Sequence, residues 1–145
     1  MADSRVQIDA EDWVRRTWMP ANLGGTYSRE RLRLTPGGSF DFDAVAPDGQ
    51  TAAVISTNGG ITASGKAAKP KLNKIRSDCL FLLMTHAKRR LVLLTDKDMY
   101  DLCIGEKNSG RMPTEIEFFN CPVPDELEQR LAESRKKAAE EVTPK

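Results

Sequence analysis

The feature that most constrains this chain is a set of three short, turn-separated segments between residues 30 and 56. Glu30-Arg31-Leu32-Arg33-Leu34 alternates polar and apolar, and Pro36-Gly37-Gly38 then turns the chain. Ser39-Phe40-Asp41-Phe42-Asp43-Ala44-Val45 alternates again, and a second turn at Pro47-Asp48-Gly49 leads into Ala52-Ala53-Val54-Ile55-Ser56. A period of two bounded by Pro and Gly turns predicts a three-strand meander. The third segment has the apolar character of a buried strand, so the sheet must continue beyond it and be covered by helices on both faces.

The flanking sequence supplies those elements. Asp9 caps a helix whose Ala10, Trp13, Val14 and Trp18 share a stripe, with Asp12 as early acid and Pro20 as its stop. Thr57 to Ala68 is a polar loop. Pro70 opens a helix from Lys71 to about Asp78, with Leu72 and Ile75 inward and Lys71 and Lys74 turned elsewhere. The apolar run Cys79 to Met84 is expected to be a strand, paired with Leu91–Leu94 across a tip at His86–Arg90. Thr95 or Asp96 caps a helix carrying Met99, Leu102 and Cys103 that ends near Gly105. Ile116–Phe119 is a short strand, and Pro124-Asp125-Glu126 starts a last helix with Leu127, Leu131, Ala138 and Val142 on its seam. The expected fold class is therefore a mixed α/β single domain over residues 1–145, with a mixed central sheet flanked by helices.

Several function classes are excluded at this level. Cys79 to Met84, the longest strongly apolar stretch, has six residues, against roughly 20 for a membrane-crossing helix. The N-terminus shows no apolar signal-peptide core. Cys79, Cys103 and Cys121 are odd in number and without zinc spacing, which suits a reducing cytoplasm. Thr62-Ala63-Ser64-Gly65-Lys66 resembles the end of a phosphate-binding loop, but Gly60 is off register and Ala67 stands where Ser or Thr is needed, so a nucleoside triphosphatase is excluded. The lone His86 lacks a nucleophile partner and is expected at the surface, and Trp13 and Trp18 in the core and at its rim.

Charge is unevenly spread. Residues 66–90 hold eight basic groups and one acidic one, whereas 1–65 hold six and eight, and 91–145 hold eight and twelve. Ser64, Lys66, Lys69, Lys71, Lys74 and Arg76 therefore form the expected footprint for a nucleic-acid backbone, DNA or RNA, with the hydroxyls and N–H groups of Ser56–Gly60 beside them.

The element order over residues 9–96 resembles the core of the restriction-endonuclease-like, or PD-(D/E)XK, superfamily: a helix, a three-strand meander, a helix and two further strands. Residues 97–142 then form a helix-strand-helix extension. In that family an Asp opens the second strand and an acid-x-Lys triplet ends the third. The two acids bind a divalent metal, and the lysine orients the attacking water. The resemblance places the second-strand acid at Asp43, with Asp41 as a neighbouring metal ligand. It places the triplet at Val54-Ile55-Ser56, where valine and serine stand for the acid and the lysine. The expectation is thus twofold. Either the metal site is degenerate and the domain binds nucleic-acid phosphate or serves as an assembly scaffold, or Mg²⁺-dependent nuclease activity survives with the lysine relocated. Catalytic candidates under the second reading are Asp43 with Lys66, Lys71 or Lys74, with Glu30 or Asp78 as a further oxygen donor. A third reading is a protein-interaction module without nucleic acid, forming a homo-oligomer through a strand edge or the last helix.

Overall fold

The computed structural model describes residues 5–62 and 64–142; Ala63 and the side chain of Val142, named above, lie outside the described residues. The meander is present as expected: β1 (Ser28–Arg33), β2 (Ser39–Val45) and β3 (Thr51–Ser56) pair antiparallel in sequence order. The sheet then continues parallel through β4 (Arg89–Leu94) and β5 (Ile116–Asn120), giving the order β1-β2-β3-β4-β5. Parallel neighbours need crossovers. These are α3 (Lys69–Leu83) between β3 and β4 and α4 (Lys97–Asn108) between β4 and β5.

Side-chain alternation along the strands separates two cores. Ala52 and Val54 of β3, Val92 and Leu94 of β4 and Ile116 and Phe118 of β5 face α3 and α4, meeting Leu72, Ile75, Cys79, Leu82, Met99 and Cys103. Ala53, Ile55, Leu91 and Leu93 face the other way. There they meet Val6, Ala10 and Val14 of the N-terminal helix and Leu131 of α5 (Asp125–Val142). The result is a helix–sheet–helix sandwich, a mixed α/β single domain.

Several expectations are corrected. Cys79–Met84 is not a strand: residues through Leu83 extend α3, with Leu72, Ile75, Cys79 and Leu82 buried at helical spacing and Leu80 57% exposed. A strand covered on both faces could not leave Leu80 in water. β4 consequently has no hairpin partner; β3 and β5 flank it instead, and within residues 9–96 one strand rather than two follows the crossover helix. Nor does Asp9 cap the first helix or Pro20 stop it: Asp9 lies inside α1 (Arg5–Trp13), where it pairs with Arg130. α1 widens at Val14–Trp18 into a π turn, closed by Met19 N–H on the Val14 carbonyl, and α2 (Met19–Leu23) carries the axis on to Gly24. Opening the ladder by one residue ahead of Pro20 accommodates the ring and its missing N–H.

The cysteines are buried and unpaired, and burial pushes each thiol up to about 12, so they pack as small hydrophobes. His86 is exposed, and Trp18 packs against Phe119 with ring centres 5.8 Å apart. No helix among the described residues is long and apolar enough to cross a membrane.

Candidate active site

The site arises where the sheet comes apart. β2 and β3 pair only at Ala44↔Ala53 and Val45↔Ala52, while β3 stays paired with β4 through Ser56. Beyond Ala44 the two strands diverge. Between Ser28↔Val45 and Glu30↔Phe42, β2 has one residue more than β1, so Asp43 and Ala44 together oppose Arg29 in a bulge. Bulges re-aim side chains, and this one turns the Asp43 carboxylate into the gap. Its Oδ2 accepts the Ile55 N–H at 2.8 Å, replacing the ladder partner that β3 lacks there. The Asp43 carbonyl is held from the other side by Arg15, which donates at 3.0 Å and is itself paired with Asp12.

Both helical layers reach this gap. Glu11 of α1 comes from one face, Lys74 and Asp78 of α3 from the other, and Ser56, Thr57 and Asn58 close the end of β3, around a cleft of about 230 Å³. Lys74 Nζ lies 3.5 Å from Asp78 Oδ2, yet the lysine side chain remains 68% exposed and free to swing.

Burial in the cleft, then the hydrogen bond to Asp43 and its negative charge, raise Glu11 from 4.5 to about 7, against the weaker pull of Arg29 and Arg15. In its protonated form Glu11 donates that hydrogen bond to Asp43. Burial also pushes Asp78 upward, with Lys74 opposing.

These shifts make stability depend on pH. The folded chain holds the Glu11 proton more tightly than the unfolded chain does, so stability is full below 4.5 and falls as pH rises through about 7. The shift itself is worth at most about 3 kcal/mol, which water in the open cleft reduces to about 1–2 kcal/mol. Urea unfolding should therefore give a lower free energy at about pH 8 than at about pH 5, and Glu11→Gln should flatten that difference. An unchanged slope in the variant would remove Glu11 as its source.

The loop after β3 is fixed from behind. Asp96 caps α4 by accepting the Met99 N–H at 2.9 Å, and the same oxygen accepts the Gly60 N–H at 2.8 Å. Arg135 of α5 donates to the Thr57 carbonyl at 2.8 Å and lies 3.7 Å from Asp96. The start of the loop, with Thr57 and Asn58 in the cleft wall, is therefore strapped to α4 and α5.

Among the sequence candidates, Asp43 and Lys74 meet in the cleft, joined by Asp78. Asp41 does not: it stands opposite Arg31 on β1, whose Nε donates at 2.8 Å, in a separate shallow depression that Glu30 also lines. Lys66, Lys69 and Lys71 are exposed and outside the cleft wall. Ser64 hydrogen-bonds Thr62 at 2.9 Å, and Arg76 pairs with Glu106 at 3.0 Å. Val54 is buried under α3, and Ser56 lines the cleft. Glu11 was not legible as a site residue. Its signal is position: it lies on α1 between the buried Ala10 and Val14, an acid flanking an apolar stripe.

The donor set can be tested against a divalent metal. Among the described residues no three acidic, His or Cys side chains are arranged to hold an ion. Magnesium, however, keeps several waters and is commonly bound through one or two carboxylates plus substrate phosphate. Glu11 and Asp43, close enough to share a proton, offer that pair of hard oxygen donors. Comparison with protein-family models, with curated proteins and with solved structures finds no match to this chain.

Proposed function

We propose that the cleft is a metal-assisted phosphodiesterase site acting on nucleic acid, on an endonuclease-like scaffold whose lysine has moved from the third strand to α3. The observation that carries this reading is that Asp43, Glu11 and Lys74, from three different elements, line one opening between diverging strands. Bound there, Mg²⁺ would neutralise the scissile phosphate and lower the pKa of its water. Glu11 and Asp43 would hold it, and to do so Glu11 must release the proton it shares with Asp43. The Ile55 N–H holds Asp43 Oδ2, fixing the carboxylate in the cleft wall. Lys74, on an exposed stem, supplies the positive charge that Ser56 cannot, and Asp78 holds it near the cleft until an anion enters. The hydroxyls of Ser56 and Thr57 offer donors to phosphate oxygens.

A second reading, a degenerate site that binds nucleic-acid phosphate without cutting it, is favoured by Val54. It occupies the acid's position and is 4% exposed, embedded in the core beneath α3. Cleavage assays on labelled DNA and RNA with Mg²⁺ or chelator separate the two. The active reading expects metal-dependent products, with Lys74→Met reducing the rate about 100- to 1,000-fold. Binding without products under any divalent cation leaves the degenerate reading, and absence of both binding and products removes the two together.

A further inference from the structure

Edge strand β1 gives the core almost nothing: of Ser28–Arg33, only Leu32 is even partly buried. Leu32 turns with Phe40 and Phe42 toward α3, and alternation puts Arg29, Arg31 and Arg33 on the opposite face. Arg31 is neutralised by Asp41, which takes both its Nε and its Nη2. The side chains of Arg29 and Arg33 are exposed and have neither hydrogen bond nor ion pair among the described residues. Arg29 sits opposite the bulge that aims Asp43 into the cleft, near enough to Glu11 and Asp41 to favour their ionised forms.

We propose that Arg29 and Arg33 form a phosphate-binding track on β1 that holds the backbone of a nucleic acid beside the cleft. This rests on the reading of the cleft as a phosphodiester site. Guanidinium groups match phosphate oxygens in paired hydrogen bonds, and four residue rises along the strand separate the two by about 14 Å, enough to engage different phosphates of one chain. A second copy of the protein is the wrong occupant. Antiparallel pairing of two β1 edges about Arg31 would set Arg29 against Arg33, like charge on like charge. Charged edge residues also discourage sheet-to-sheet aggregation, but that role predicts no dependence of nucleic-acid affinity on these side chains.

The test is fluorescence anisotropy with a short labelled DNA duplex and with its single strand, across a salt series. Neutralising both residues, Arg29→Gln with Arg33→Gln, should make the salt slope shallower by about 1.8 on the duplex or about 1.4 on the single strand, and weaken binding about tenfold or more. The melting temperature should move by less than about 2 °C, because no hydrogen bond or ion pair is lost and the pull of Arg29 on Glu11 and Asp41 is a weak one. Lys88→Gln, beside the start of β4 and away from the cleft end of β3, should leave the slope unchanged. An unaltered slope in the double variant, with wild-type binding that weakens on Lys71→Gln plus Lys74→Gln, overturns the track and spares the cleft reading. Failure of the wild type to bind either probe at low salt overturns both.

Discussion

Under the proposed phosphodiesterase reading, exchanging Asp43 for asparagine should lower metal-dependent cleavage by about a thousandfold or more while leaving the protein folded, because the substitution removes charge and keeps shape. Asparagine still offers an oxygen to the Ile55 N–H, the contact that spans the gap between β2 and β3. What it takes away is the negative charge beside Glu11, which together with the mutual hydrogen bond and burial raises that group to about 7. Above neutral pH the variant should therefore be as stable as the wild type or slightly more so. Asp43→Ala, by contrast, also leaves the Ile55 N–H without its acceptor, at about 1–3 kcal/mol where water does not replace it. Comparing rates at saturating Mg²⁺ with melting temperatures separates the two effects. Cleavage within tenfold of wild type for Asp43→Asn would take Asp43 out of the chemistry, whatever its part in the sheet.

The legibility of this site in the sequence was uneven, for physical reasons. The meander could be read because Pro36-Gly37-Gly38 and Pro47-Asp48-Gly49 fix turns and the Phe-Asp-Phe-Asp alternation fixes which face is buried. Alternation alone, however, makes Asp41 and Asp43 equivalent. The bulge that turns Asp43 into the cleft while Arg31 claims Asp41 depends on where β2 parts from β3, which is a property of the whole sheet. Cys79–Met84 misled because six apolar residues in a row carry no period. Only the longer spacing of Leu72, Ile75, Cys79 and Leu82 shows the helix. That correction also places the lysines. Running α3 on to Leu83 makes it the crossover that lies over β3, with Lys74 one residue before the buried Ile75 and four before Asp78, at the cleft wall. Lys66 and Lys71 carry the same charge in the same stretch of sequence. Lys71 differs from Lys74 in helical phase and Lys66 lies in the loop before α3, differences that composition does not register. Glu11 was harder still, since its partner Asp43 is distant in sequence and belongs to another layer.

The loop that supplies Thr57 and Asn58 to the cleft wall depends on a glycine for space rather than for backbone freedom. Gly60 is buried, and its φ is not positive. A Cβ at this position would come within 2.7 Å of Met99 Cα and closer still to the Met99 nitrogen and the Asp98 carbonyl carbon. Those are backbone atoms of the first turn of α4, so no side-chain rotation can relieve the clash. Gly60→Ala must instead lift the loop off the helix. That breaks the Gly60 N–H bond to Asp96, strains the cap that Asp96 provides to Met99 and disturbs the Ala68 N–H bond to the Gly60 carbonyl. Overpacking and partial loss of the cap together should cost about 3 kcal/mol, a fall of about 10 °C in melting temperature. Gly38→Ala is the matched control: nothing lies within 4 Å of its added carbon and its φ is not positive, so it should change stability by less than about 0.5 kcal/mol. Because Thr57 and Asn58 belong to the same strapped loop, Gly60→Ala should also lower cleavage at temperatures where the variant remains folded. A melting temperature within about 2 °C of wild type would mean that the loop is not seated on α4, and with that seat would go the rigid wall on which the proposed cleft chemistry depends.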